Sequence, residues 1–292
     1  MANIVLIEHK PVLFDAIEFD PTIASVDLFY DLAFPLMDFL RYDRQAATNG
    51  LLNRYLETNC SDHLDGLATL PLFMSLRAAI RAKVLLARLD HTRDKTPVLR
   101  SVREYFELAR RLIHPPAPTL IAVGGLSGTG KSVLARALAP HIAPQPDAVL
   151  LRTDILRKQQ FKVRETDKLP ESTYRPEVTG IIYDTIVQRA VRILSQGHSV
   201  VVDAMFARAS ERTEIGDAAR RLGVRFVGFF LETDLATRQI RVARREADAS
   251  DATPEIAKLQ ESYDVGTIDW IAIDASGTPE QTLKACQLRI IG

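Results

Sequence analysis

Eight consecutive residues, Gly125-Leu126-Ser127-Gly128-Thr129-Gly130-Lys131-Ser132, constrain this 292-residue chain more than any other feature. They fit G-x-x-x-x-G-K-[ST] without a gap. Glycines let the backbone turn so that successive N–H groups converge on one anion. A helix expected over residues 132–140 turns its positive end toward the same point. The spacing assigns Lys131 to the β- and γ-phosphates of a nucleotide and the Ser132 hydroxyl to magnesium. A chance glycine-rich turn is the competing explanation. The short apolar strand expected at 120–123, just before the loop, argues against it.

Around this loop, apolar strands alternate with helices. Strands are expected at 120–123, 148–151, 200–202, 224–231 and 268–273. Helices are expected at 132–140, 177–194, 211–222, 235–247 and 279–290. Near-continuous apolar strands separated by helices specify a parallel sheet covered on both faces. The fold class is therefore α/β, a P-loop NTPase with a parallel five-stranded sheet.

Upstream, His114-Pro115-Pro116-Ala117-Pro118 cannot continue a helix. It makes residues 115–118 a linker between a first domain, 1–114, and a second, 119–292. In the first domain two β-rich runs, 4–7 and 12–14, flank Glu8-His9-Lys10-Pro11, which suggests a hairpin. Apolar residues then recur every three or four positions over 26–42, 46–57, 72–89 and 98–112, the helical period. This domain is expected to be mainly helical.

Charge limits the partners. Lysine plus arginine number 37, as do aspartate plus glutamate, so no global field recruits nucleic acid or anionic membrane. Residues 1–65 hold 11 acidic and 4 basic side chains, while residues 66–115 hold 4 and 10. Packing of these two blocks with complementary charge is preferred to a nucleic-acid patch. Cys60 and Cys286 are too few and too far apart for a disulfide framework or a zinc site, and each is expected to be a plain core or surface thiol. No run reaches transmembrane length, and no basic segment with an apolar run opens the sequence, so a cytoplasmic protein is expected.

In an open parallel sheet, ligands bind at the carboxyl ends of the strands. Two aspartates stand there: Asp154, after Leu150-Leu151-Arg152-Thr153, and Asp203, after Val200-Val201-Val202. Asp154 is placed to act as base for an acceptor hydroxyl, with Arg157 one helical turn later to neutralise phosphate or an anionic acceptor. Asp203 could hold the magnesium shell through water. Helix N-capping is the ordinary alternative for both. Arg238, Arg241, Arg244 and Arg245 form a constellation, the first three at intervals of three, on the helix before Asp248-Ala249-Ser250-Asp251-Ala252-Thr253-Pro254, a turn-rich segment suited to a lid. Facing the phosphates, these arginines would stabilise the transferring group. A solvated helix face is the alternative. The turn Ser276-Gly277-Thr278 could touch adenine or simply cap the last helix.

With the loop, Asp154-Ile155-Leu156-Arg157 and the arginine helix placed, residues 118–292 resemble a group of P-loop kinases. The group includes zeta toxins, chloramphenicol phosphotransferase, the kinase part of polynucleotide kinases and gluconate kinases. That resemblance implies ATP and Mg2+ as cofactors. It also implies catalytic roles for Lys131, Asp154, Arg157, Arg241 and Arg244, a nucleotide site from Gly125 to Ser132, and metal contacts from Ser132 and Asp203. The acceptor it implies is a hydroxyl on a small molecule or nucleotide-like compound.

The first domain resembles the C-terminal lobe of aminoglycoside phosphotransferases. Asn3-Ile4-Val5-Leu6-Ile7 and Pro11-Val12-Leu13-Phe14-Asp15 are similar to the end of that family's catalytic loop and its metal-binding aspartate. The resemblance implies magnesium-ligand chemistry at Asn3 and Asp15. The His-Gly-Asp stretch and the nucleotide lobe that should precede Asn3 are not in this sequence. The domain is therefore expected to be a structural companion or the product of truncation. Two other functions compete with a small-molecule kinase: a regulatory ATP-binding module, and a nucleic-acid end kinase, which the neutral charge disfavours. Asp154 favours a kinase over a switch, because a switch needs an oriented water rather than an acceptor base.

Overall fold

The computed structural model describes residues 4–13, 25–58, 63–89, 93–245 and 248–291. Asn3, Asp15 and Cys60 lie outside the described residues, so the expectations placed on them are carried no further. The chain divides into two compact units, Met1–Pro115 and Pro116–Gly292.

The first unit opens with an antiparallel hairpin, β1 (Ile4–Ile7) and β2 (Lys10–Leu13). Among the described residues four α-helices follow: α1 (Leu28–Arg41), α2 (Gln45–Thr58), α3 (Leu70–Ala87) and α4 (Lys95–Ile113). Asp27 starts α1 by accepting from the Phe29 N–H at 2.8 Å, and Asp94 starts α4 by accepting from the Thr96 N–H at 3.0 Å. The helices bury Leu36, Met37, Leu52, Leu67, Met74 and Leu108 between them. Arg41 of the first charge block pairs with Glu104 of the second.

The second unit is built on a five-stranded, wholly parallel sheet in the order β4-β5-β3-β6-β7. The strands are β3 (Thr119–Gly125), β4 (Val149–Arg152), β5 (Val200–Asp203), β6 (Arg225–Glu232) and β7 (Ile271–Asp274). Helices α5 (Lys131–Leu138), α6 (Thr153–Gln160), α7 (Pro176–Ser195), α8 (Ala209–Leu222), α9 (Leu235–Ala243), α10 (Pro254–Leu259) and α11 (Pro279–Ile291) connect or follow them. One core cluster joins Ile121, Val123, Val201, Phe229 and Leu231 of the strands to Leu134 and Leu138 of α5 and Cys286 of α11. Burial pushes the Cys286 thiol up to about 12, so it is an inert core group.

Register places the site. Asp203, the last residue of β5, sits opposite Val123 on one side and Arg152 on the other. The carboxyl ends of β3, β4 and β5 therefore bring the phosphate loop, Asp203 and the Arg152-Thr153-Asp154 segment to one edge.

Several boundaries depart from expectation; β2, for one, starts at Lys10, inside the expected turn Glu8-His9-Lys10-Pro11. Helix α9 ends at Ala243, four residues short of the expected 247, which frees the segment after it to fold back. The last strand starts at Ile271 rather than 268; Trp270, just before it, packs its ring on Gly228, where a Cβ would lie 2.4 Å from the indole. Helices α6 and α10, of eight and six residues, are too short for apolar periodicity to reveal.

Candidate functional site

The loop between β3 and α5 closes on the carbonyl of Leu126. That oxygen accepts from Thr129 Oγ1 at 2.8 Å and from Lys131 Nζ at 3.0 Å. The backbone turns at Gly130 with φ 95° and at Gly128 with φ 89°. Gly128 is also a close approach: a Cβ there would lie 2.6 Å from the Arg238 carbonyl oxygen, so no side chain fits. Burial pushes the Lys131 ammonium down, and Asp203 and Asp154 pull it back up. The Lys131 ammonium thus sits between the loop backbone and two carboxylates.

Ser132, one residue into α5, donates its hydroxyl to Asp203 Oδ2 at 2.6 Å. The same carboxylate oxygen accepts from Arg152 Nε at 3.1 Å. Asp203 therefore makes side-chain links across the site, and N-capping does not account for it. Arg152 is 2% exposed and also reaches Asp248 Oδ1 at 3.3 Å. Burial would raise the Asp248 carboxyl, yet Arg152 and Arg245 beside it hold it below its usual value.

Asp154 lies in the first turn of α6, and the residue that caps this helix, Arg152, makes no side-chain cap bond. Among the described residues the Asp154 carboxylate has no hydrogen-bond or ion-pair partner. Burial first, then the Asp203 carboxylate, push its pKa above the ordinary value, while Arg152 and Lys131 pull it down. It is a lone carboxylate facing the Lys131 and Asp203 charges.

The arginines divide in a way the spacing did not foresee. Arg157 is buried: Nη1 donates to the Thr173 carbonyl, Nη2 to Thr179 Oγ1 at 3.3 Å, and the guanidinium stacks 4.7 Å from the Tyr174 ring centroid. It braces the segment between α6 and α7. Arg241 donates to the carbonyls of Ala275 at 2.8 Å and Gly277 at 3.0 Å, holding the turn after β7. Arg244 is the exposed cap residue of α9. Arg238 runs under the phosphate loop, with Nε 2.9 Å from the Ser127 carbonyl oxygen. Arg238 and Arg245 bear electrostatically on Lys131. Three-residue spacing gives angular position on a helix but not which neighbour lies there.

The segment after α9 is pinned by its acids. Asp251 accepts from Lys158 Nζ at 2.7 Å, from the Tyr174 hydroxyl at 2.6 Å and from the Leu169 N–H at 3.0 Å. Sequence reasoning did not single out Arg152, Lys158, Asp248, Asp251 or Gln260 as site residues. Two signals stood in the sequence: a lone arginine closing an otherwise apolar strand, and paired acids three apart behind an arginine-rich helix.

Residues 120–264 match the family model described as an AAA domain. The chain is similar to uncharacterized protein Rv2004c of Mycobacterium tuberculosis (strain ATCC 25618 / H37Rv), 27% identical over 293 residues and covering 96% of this chain and 56% of that protein. The figures are the same for uncharacterized protein Mb2027c of Mycobacterium bovis (strain ATCC BAA-935 / AF2122/97). The chain thus spans about half the length of the curated relatives it matches. Among solved structures, a gluconokinase from Sinorhizobium meliloti 1021 gives a TM-score of 0.41 at 19% identity, covering 59% of this chain and 93% of that one. The Mycobacterium tuberculosis APS kinase CysC in complex with AMPPNP and APS gives 0.44 at 19% identity, covering 60% and 99%. No helix among the described residues is long and apolar enough to cross a membrane.

Proposed function

We propose that the second unit is an ATP-dependent phosphotransferase that moves the γ-phosphate to a hydroxyl of a small-molecule or nucleotide-like acceptor. The observation that carries this reading is Asp154. It is a partnerless carboxylate with a raised pKa, at the same sheet edge as the phosphate loop. A general base works best when its pKa is lifted toward the working pH and no internal donor occupies it.

The residues fit magnesium. Ser132 Oγ and the Asp203 carboxylate are hard oxygen donors 2.6 Å apart, and no group of three or more His, Cys, Asp or Glu forms a cage among the described residues. The ion would be held by Ser132, by Asp203 through water, and by the nucleotide's own phosphates. When bound, it neutralises charge on the β- and γ-phosphate oxygens.

The protein's own part follows from position. The N–H groups of Gly125 and Ser127 are taken by the Met205 carbonyl and Gln260, so the loop backbone between Gly128 and Ser132 is what orients the phosphates, and Lys131 supplies a positive charge at their outer end. Asp154 takes the acceptor hydroxyl proton as the oxygen attacks the γ-phosphorus and the bond to the β-phosphate oxygen breaks, leaving ADP. Arg245, beside Asp248, is the lid cation whose charge reaches Lys131. Arg157 and Arg241 act by holding backbone.

The test is transfer of label from γ-labelled ATP to pooled metabolites and oligonucleotides, with wild type beside Asp154→Asn. A labelled acceptor lost in the variant supports the reading. ATP hydrolysis without any labelled acceptor, equal in both proteins, sinks it in favour of a regulatory ATPase.

A further inference from the structure

Ser127, third in the phosphate loop, has all three of its polar groups engaged by residues more than a hundred positions away. Its N–H donates to Gln260 Oε1 at 2.8 Å, its hydroxyl oxygen accepts from Gln260 Nε2 at 3.0 Å, and its carbonyl accepts from Arg238 Nε at 2.9 Å. Gln260 is 5% exposed. The two bonds fix each other. A carboxamide nitrogen cannot accept, so the atom facing the Ser127 N–H must be the oxygen, and the NH2 group must face the hydroxyl. A hydroxyl that accepts from an NH2 group keeps its own proton free to donate.

The site shows where that proton is wanted. Ser127 follows Leu126, whose carbonyl oxygen lies 3.0 Å from the Lys131 ammonium. That ammonium marks the outer phosphates, so Ser127 stands at the γ end of the loop.

We infer that Gln260 sets the Ser127 hydroxyl as a donor to the terminal phosphate of the bound nucleotide, so that Ser127 Oγ reads the γ-phosphate and Gln260 is its positioning residue. This rests on the phosphate-site reading above. It deepens it by giving the loop a side-chain contact that ATP satisfies and ADP does not. It also gives the segment following the lid a direct hold on that contact, since Gln260 comes just after α10.

The experiment is calorimetry of the full chain with Mg–AMP-PNP and Mg–ADP, read as the ratio of the two affinities. Ser127→Ala keeps the N–H bond to Gln260 and removes only the hydroxyl. It should lower the ratio about tenfold, as for one hydrogen bond to a charged acceptor, with ADP affinity almost unchanged. Ser127→Thr keeps a hydroxyl and should restore the ratio. Gln260→Met removes the orientation and should lower the ratio, while the double variant falls no further than Ser127→Ala alone. Thermal melting confirms that each variant is folded. If Ser127→Ala or Gln260→Met weakens both nucleotides equally, or leaves the ratio untouched, the inference is overturned while the phosphate site stands. If wild type binds neither nucleotide, the phosphate-site reading falls and this inference with it.

Discussion

The ammonium of Lys131 lies 3.0 Å from the carbonyl oxygen of Leu126, five residues earlier, so the loop's cation is held by the loop's own backbone. Burial disfavours this charge, and only nearby carboxylates offset the penalty. Lys131→Met should leave the melting temperature equal or higher. Nucleotide affinity should fall by roughly ten- to a hundredfold, the range for a lost charged hydrogen bond. Calorimetry with Mg–ATP beside a thermal melt checks both; unaltered affinity would contradict the site.

Asp154→Asn preserves shape but not basicity. General-base contributions are typically about a hundred- to ten-thousandfold, so acceptor phosphorylation should fall by that order and background ATP hydrolysis far less. A second readout follows from the raised pKa. Below the unfolded value near 3.9 both states are protonated. As pH rises through the elevated folded value, the native site must ionise a group it disfavours, and stability declines. The variant escapes this. It should melt above wild type at pH 7–8 without ligand, with the gap closing toward pH 4.

Asp251 is the clasp of the segment after α9. Burial would raise its carboxyl, but Lys158, Tyr174 and the Leu169 N–H hold it below its ordinary value. A depressed carboxyl contributes stability above the unfolded pKa and loses it as pH falls through the folded one. The clasp should therefore stay shut at neutral pH and open only below about pH 4. Asp251→Ala leaves the buried Lys158 ammonium only its bond to the Asp167 carbonyl and should cost about 1–3 kcal/mol. Limited proteolysis should then cut residues 244–253 faster; unchanged cleavage would show that the segment is held by other means.

Arg241 separates a positioning role from a catalytic one. Its guanidinium spans the carbonyls of Ala275 and Gly277, and so holds the turn that meets the base of the nucleotide if the adenine role proposed for Ser276-Gly277-Thr278 holds. Arg241→Ala should raise the KM for ATP several-fold with kcat within about twofold, the pattern of lost uniform binding. Arg245→Ala, which removes the lid cation, should lower kcat instead. A fall in kcat for Arg241→Ala would return that arginine to the chemistry.

The phosphate loop, the five parallel strands and most helices could be read from the sequence because each is a local or periodic property. Gly128 and Gly130 turn the backbone within their own octapeptide, and apolar runs declare buried strands whatever surrounds them. The positions of Asp203 and Asp154 at the sheet edge were legible for a related reason: a residue that ends a parallel strand, or follows its end by two, sits at the ligand edge by topology. The rest was decided by distance in space. Arg152 meets Asp203 across 51 residues because β4 pairs with β5, Arg238 meets Ser127 across 111, and Gln260 meets Ser127 across 133. Periodicity fixes the angle of a side chain about its own helix but carries no information on which strand or loop stands opposite. Thus the sequence set which residues reach the site's edge. Only the fold-back of α9 and α10 onto the loop decided that Arg238 and Gln260 would hold Ser127, while Arg157 and Arg241 would brace backbone.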